Sequence, residues 1–180
     1  MVAALSLPLV PASPAAAHVT GTPVKVMLLG DSITEGLTGG DFSGNETLPT
    51  YRYYLHNQLQ TVDASFDFVG SENGTADVSG GIGVVEDTDV LITEDPLGVG
   101  TWDQDHEGHQ GWRADQIWEA TYWNSVGIAD WAADETPDVV VINLGANDII
   151  QNQSGANIEQ DIIEIIGILR TQNPTVVIVL

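Results

Sequence analysis

Two short polar runs, each placed directly after an apolar one, carry residue types suited to acyl transfer. Gly30-Asp31-Ser32 follows Val24-Lys-Val-Met-Leu-Leu29, and Gly145-Ala-Asn-Asp148 follows Asp138-Val-Val-Val-Ile-Asn-Leu144. Acyl transfer through a hydroxyl needs a nucleophile, donors for the oxyanion and a base. Ser32 offers the hydroxyl; the Asn147 amide and the backbone N–H groups of Ser32 and Gly111 offer the donors. Taken alone, Ser32 could equally cap a helix, and Gly-Asp-Ser is a short, common string. Asp31 and Asp148 suit turn bracing, each accepting from backbone N–H groups.

The apolar runs say how these residues are held. Mostly apolar, Val/Ile/Leu-rich stretches at 24–29, 138–144 and 175–180 read as buried strands, and Phe66 to Val69 as a short second strand. Tyr51, Leu55, Leu59 and Val62 recur at helical spacing, as do Ile158, Ile162, Ile165, Ile166 and Leu169. A further helix is expected from Ala114 to Asn124. Strands alternating with helices predict an α/β fold, a doubly wound parallel sheet in three layers. In such sheets ligands sit beyond the C-terminal ends of the strands, where both polar runs fall. Residues 71–105 read as a long acidic loop with one hairpin, and residues 125–137 as a linker ended by Pro137.

Composition narrows the partners. The 180 residues hold 4 basic and 26 acidic side chains, a formal net charge of −22. Such a surface repels phosphate backbones and anionic lipid, which argues against nucleic-acid and membrane partners. It suits a neutral substrate such as a polysaccharide, or an acidic or salty medium. The absence of Cys excludes disulfides, zinc thiolates and a Cys nucleophile. The Asp and His residues show no clustered metal-ligand spacing, so no metal and no cofactor are expected. Residues 1–20 read as a signal-like leader or a disordered tail, with the apolar and small-residue parts of a secretory signal but no positive start. A secreted, extracellular protein is the expectation. The sequons at Asn45, Asn73 and Asn152 bear on this only in a secreting eukaryote.

Three blocks in order, Gly30-Asp31-Ser32, the segment around Gly111, and Gly145-Ala146-Asn147-Asp148, resemble the SGNH (GDSL-type) hydrolases over roughly residues 24–180. Asp105-His-Glu-Gly-His-Gln-Gly-Trp112 and Tyr51-Arg52 are similar to carbohydrate esterases that deacetylate xylan. The resemblance implies a flavodoxin-like SGNH fold and a serine carboxylic-ester hydrolase acting on a small-molecule or polysaccharide ester. It also implies Ser32 as nucleophile and Ser32, Gly111 and Asn147 as the oxyanion hole. His109 and Trp112, beside Gly111, are candidates for substrate contact.

One part of the family pattern is missing. The base in that family is a His in an Asp-x-x-His block near the C-terminus, after a later strand, and none occurs before Leu180. The chain is therefore expected to be C-terminally truncated, with little or no turnover. Asp103-Gln-Asp-His106 spells the motif but precedes the second block, so it reads as a decoy. His18 falls in the leader, and His56 on a helix, at the surface or the core edge. The alternative function is a non-catalytic carbohydrate-binding or interaction module, with Trp102, Trp112, Trp118 and Tyr122 as stacking faces.

Overall fold

The computed structural model describes residues 21–38, 50–62, 65–77, 89–90, 102–120 and 125–180. The elements are β1 (Val24–Asp31), α1 (Ser32–Glu35), β2 (Leu37–Thr38), α2 (Tyr51–Val62), β3 (Phe66–Val69), β4 (Glu72–Asn73), β5 (Thr75–Asp77), β6 (Asp89–Val90), β7 (Asp105–His109), α3 (Ala114–Glu119), α4 (Ile128–Glu135), β8 (Val139–Asn143), α5 (Ala146–Ile150), α6 (Gly155–Gln172) and β9 (Val177–Val179).

The central strand is β1, because its Met27, Leu28 and Leu29 are fully buried and can only be satisfied with neighbours on both sides. β8 lies parallel on one side, from Val26↔Val139 to Gly30↔Asn143. On the other side β3 pairs with the first half of β1 and β7 with the last residues, both parallel. β9 continues the parallel sheet beyond β8, while β4 joins β7 antiparallel, so the sheet is mixed but mostly parallel. A small second sheet runs β2-β5-β6.

Alternation along β1 sorts the two faces. Met27 and Leu29 pack with Ile117, Ile128, Trp131, Ile165 and Leu169 from α3, α4 and α6. Val26 and Leu28 pack with Phe68 and with Leu55 and Leu59 of α2. This is the expected α/β sandwich of helices on both faces. Each fully buried Leu contributes about 1.5–3 kcal/mol, so β1, which leads directly into Ser32, is firmly anchored.

Several expectations change. β7 is a strand although Asp105-His-Glu-Gly-His109 holds no large apolar residue; it buries His106, Glu107 and His109 instead. The presumed linker contains α4, whose Ile128 and Trp131 enter the core. α3 stops at Glu119, where Ala120 turns left-handed at φ 52°, and residues 121–124 lie outside the described residues. The 71–105 segment contributes β4, β5 and β6, with β5 and β6 antiparallel. Its Gly-rich stretches at 79–83 and 97–100, the leader at 1–20, and the loop at 39–49 lie outside the described residues. On α2 the most buried side chains are Arg52, Tyr53 and His56, not the Tyr/Leu stripe alone.

Candidate active site

Three adjacent parallel strands deliver the three blocks to one edge of the sheet. Asp31 ends β1, and its register partner on β7 is His109, two residues before Gly111. On the other side Gly30 pairs with Asn143 of β8, four residues before Asn147. Ser32, Gly111 and Asn147 therefore follow the C-terminal ends of β1, β7 and β8 in turn.

Ser32 is half-buried and opens α1, a helix of only four residues. Asp31 caps it, with Oδ1 accepting from Ile33 N at 2.9 Å. Gly36 ends it at φ 79°, donating its N–H to Ser32 O at 2.9 Å. α1 lies flat on the sheet because Gly30 and Gly108 have no side chains. A Cβ at 108 would come within 2.5 Å of Glu35 N, and one at 30 within 2.8 Å of Asn143 O. Gly108 stood in the sequence only as part of the Asp105–Trp112 run, since its packing role appears only when β7 lies beside β1.

The oxyanion-side segments are laced together. Asn147 Nδ2 donates to Trp112 O at 3.0 Å, which uses one of its two N–H bonds and leaves the other for a ligand. Asp148, fully buried, accepts Ala114 N on both oxygens, at 3.2 and 3.1 Å. Gln151 Nε2 donates to Gly111 O at 3.2 Å, and Arg113 Nη1 to Gln151 Oε1 at 2.6 Å. Asp148 thus braces the 111–114 segment from across the site as well as bonding its own backbone N–H. Gln151 was not legible in sequence, being one polar residue after a short helix. Gly111 is exposed with φ 79°, and a Cβ there would meet nothing within 4 Å. Backbone conformation, not crowding in the free protein, is what selects glycine at 111.

The histidines are turned elsewhere. His106 is fully buried, and its Nδ1 accepts from Gly108 N at 3.0 Å. That puts the ring proton on Nε2, the opposite of a triad base, which donates from Nδ1 and accepts on Nε2. His109 Nε2 donates to Glu107 Oε1 at 2.8 Å, and its ring is stacked 4.4 Å from Trp112 and 4.7 Å from Trp131. His56 is buried in contact with the Phe66, Phe68 and Trp102 rings, so the expected surface or core-edge position is not what it takes. His18 lies outside the described residues.

His109 and Trp112, expected as substrate contacts, are both buried, with their rings stacked on each other and on Trp131 of α4. Trp102 is buried as well, and Trp118 is half-buried, packs against the core and donates its Nε1 to Asp161. Tyr122 lies outside the described residues. Folding does assemble one group that could hold a metal ion, Glu72, Glu107 and His109, with ligand atoms within 4.8 Å of one another. Glu107 is already satisfied there, by His109, Ser71 N at 2.8 Å and Ser71 Oγ at 2.7 Å. These bonds explain its burial without an ion.

The site's carboxyls are crowded. Burial pushes the Asp31 carboxyl above its ordinary value of 3.8, and Asp148 nearby adds to this; burial also raises Asp148, with Asp115 and Asp161 adding. Asp31 Oδ2 is buried with no hydrogen-bond partner among the described residues. A raised folded-state pKa means that the folded protein keeps protons the unfolded chain has released. The contribution of these groups to stability therefore falls as pH rises from 3.8 through their raised values. Thermal melts should give a higher Tm at pH 5 than at pH 8. Asp31→Asn should flatten that difference; a Tm that climbs with pH, or a slope indifferent to this change, would contradict the assignment.

Residues 28–180 match the sequence profile of a family described as GDSL-like Lipase/Acylhydrolase. No curated protein matches the chain. Among solved structures, an acetyl esterase mutant with acetate ion is 30% identical, with a TM-score of 0.59. A carbohydrate esterase family 3 protein from Talaromyces cellulolyticus is also 30% identical, with a TM-score of 0.60; each match covers 86% of this chain and 59% of the other. A Clostridium thermocellum family 3 carbohydrate esterase gives 30% and 0.57, covering 87% and 60%. The chain thus spans about three fifths of the length of the structures it resembles. Among the described residues, no helix is long and apolar enough to cross a membrane.

Proposed function

Since the chain belongs to the GDSL-like lipase/acylhydrolase family, we propose that it is a serine carboxylic-ester hydrolase that removes acetyl groups from an acylated polysaccharide. The observation that carries this reading is the convergence of Ser32, Gly111 and Asn147 at the ends of three adjacent parallel strands. The 30% identity to an acetyl esterase and to family 3 carbohydrate esterases supports the acetyl and carbohydrate part. The charge of −22 suits a neutral polymer acting outside the cell, an extracellular location being part of the same proposal.

In this reading Ser32 Oγ attacks the ester carbonyl carbon as its proton passes to a base. The oxyanion forms among Ser32 N–H, Gly111 N–H and the second Asn147 N–H. The alcohol leaves with the proton, and water, deprotonated by the same base, then releases acetate from Ser32. The bonds of His106 and His109 direct them away from this role. The reading therefore assigns the base to a group outside the described residues. Donors and binding alone still supply about 10³–10⁴-fold over water when a triad member is absent.

The test is acetate release from p-nitrophenyl acetate and from acetylated xylo-oligosaccharides, with imidazole added as an external base. A Ser32-dependent rate that rises with imidazole and vanishes in Ser32→Ala is expected. Equal rates for Ser32→Ala and the parent across the imidazole series would sink the reading.

A further inference from the structure

α1 is too short to hold its own position. It has only four residues, with a bond from Gly36 N to Ser32 O at its end, and isolated helices need about 12–15 residues to be even marginally stable. What lies under its C-terminal end is Arg52 of α2, fully buried. Arg52 Nε donates to Thr34 O at 2.7 Å and Nη2 to Glu35 O at 2.7 Å. These are carbonyls of the last turn, which a helix leaves open and where a cation is favoured. The same guanidinium reaches two other segments. Nη1 donates to Gln104 O at 2.6 Å, just before β7, and Nη2 also donates to Gly74 O, between β4 and β5. Its carbon lies 5.6 Å from the centre of the Trp102 ring. The preceding residue adds a bond to the same helix, Tyr51 OH to Thr34 Oγ1 at 3.0 Å.

We propose that Arg52 is a positioning residue for the nucleophile. It fixes α1, which carries Ser32, to the entry of β7, which delivers Gly111, so that nucleophile and oxyanion donor keep one spacing. The function of that spacing rests on the esterase reading above; the coupling itself does not. A planar fork of five N–H bonds can span carbonyls of three segments at once, whereas a Lys ammonium has only three donors on one atom. Burying a guanidinium is costly unless its hydrogen bonds are met, and here they are met by backbone of the site's own elements. Gly30 and Gly108 complete the arrangement by letting α1 rest against β1 and β7, so that a shift of Arg52 passes directly to Ser32.

The experiment uses Arg52→Lys, which keeps the charge and loses the fork, with two readouts at a temperature well below melting. In the imidazole-assisted assay, kcat should fall by about 10²-fold with KM within about twofold, the signature of a misplaced reacting group rather than lost binding. By hydrogen–deuterium exchange, residues 31–36 and 104–111 should exchange faster together while α6 keeps its rate. If the parent shows no Ser32-dependent turnover, the esterase reading fails and the exchange result alone decides the coupling. Joint acceleration of the two segments then supports it. Unchanged exchange, acceleration of one segment only, or a uniform rise across the protein overturns it. An unchanged kcat alongside a lowered Tm reduces Arg52 to a structural staple and overturns the positioning role. Should the lysine variant not fold, Arg52→Gln takes its place under the same criteria.

Discussion

Gly108→Ala is expected to destabilise the fold by about 1–3 kcal/mol and to displace the serine helix. The new Cβ would sit 2.5 Å from Glu35 N and 3.0 Å from both Glu35 Cα and Thr34 Cγ2. Two of these three are backbone atoms, so no rotamer change relieves them, and α1 must lift from the sheet. Lifting α1 stretches its bonds to Arg52 and moves Ser32 away from the segments that carry Gly111 and Asn147. Urea denaturation should show a lower midpoint with unchanged slope, and Ser32-dependent ester hydrolysis should fall by more than the loss of folded protein explains. Gly155→Ala is the control. It lies in the first turn of α6, a Cβ there meets nothing within 4 Å, and stability should be little changed or improved. A Gly108→Ala protein as stable and active as the parent would show that α1 does not rest on β7.

Asn147→Ala should lower kcat by about 10²–10³ while leaving KM nearly unchanged, since an oxyanion donor acts mainly in the transition state. The structure adds a second consequence. Asn147 Nδ2 also holds Trp112 O at 3.0 Å, so truncation leaves that carbonyl without this donor and costs about 0.5–1.5 kcal/mol of stability. The two effects separate experimentally: thermal melts report the carbonyl, and the kcat of fully folded protein reports the donor. Asn147→Asp should lose both, because a carboxylate offers no N–H and repels the oxyanion. A kcat within threefold of the parent would remove Asn147 from the oxyanion hole, whatever happens to Tm.

The sequence alone determined the central strands and the edge at which the two polar runs emerge. Val24–Leu29 and Asp138–Leu144 are continuous apolar runs, and such runs have no stable place except inside a parallel sheet covered on both faces. From that, Gly30-Asp-Ser32 and Gly145-Ala-Asn-Asp148 had to emerge at one edge, because parallel strands end together. What escaped the sequence are elements whose residues are polar or whose partners are remote. β7 has no apolar pattern, since Glu107 is buried against Ser71 and His109, thirty-six and two residues away. The packing of His109 and Trp112 was equally hidden: only the arrival of Trp131 from α4 stacks their rings into the core. The structural roles of Gly108 and Arg52 were hidden for the same reason, although both stand in the runs that carry the family resemblance. A missing side chain matters only where another backbone is packed against it, and a guanidinium becomes a clamp only where three segments bring their carbonyls within its reach. Local pattern fixes which residues can be strands, helices and nucleophiles; the distances among Ser32, Gly111 and Asn147 are set by contacts between segments tens of residues apart, and only the folded chain contains those.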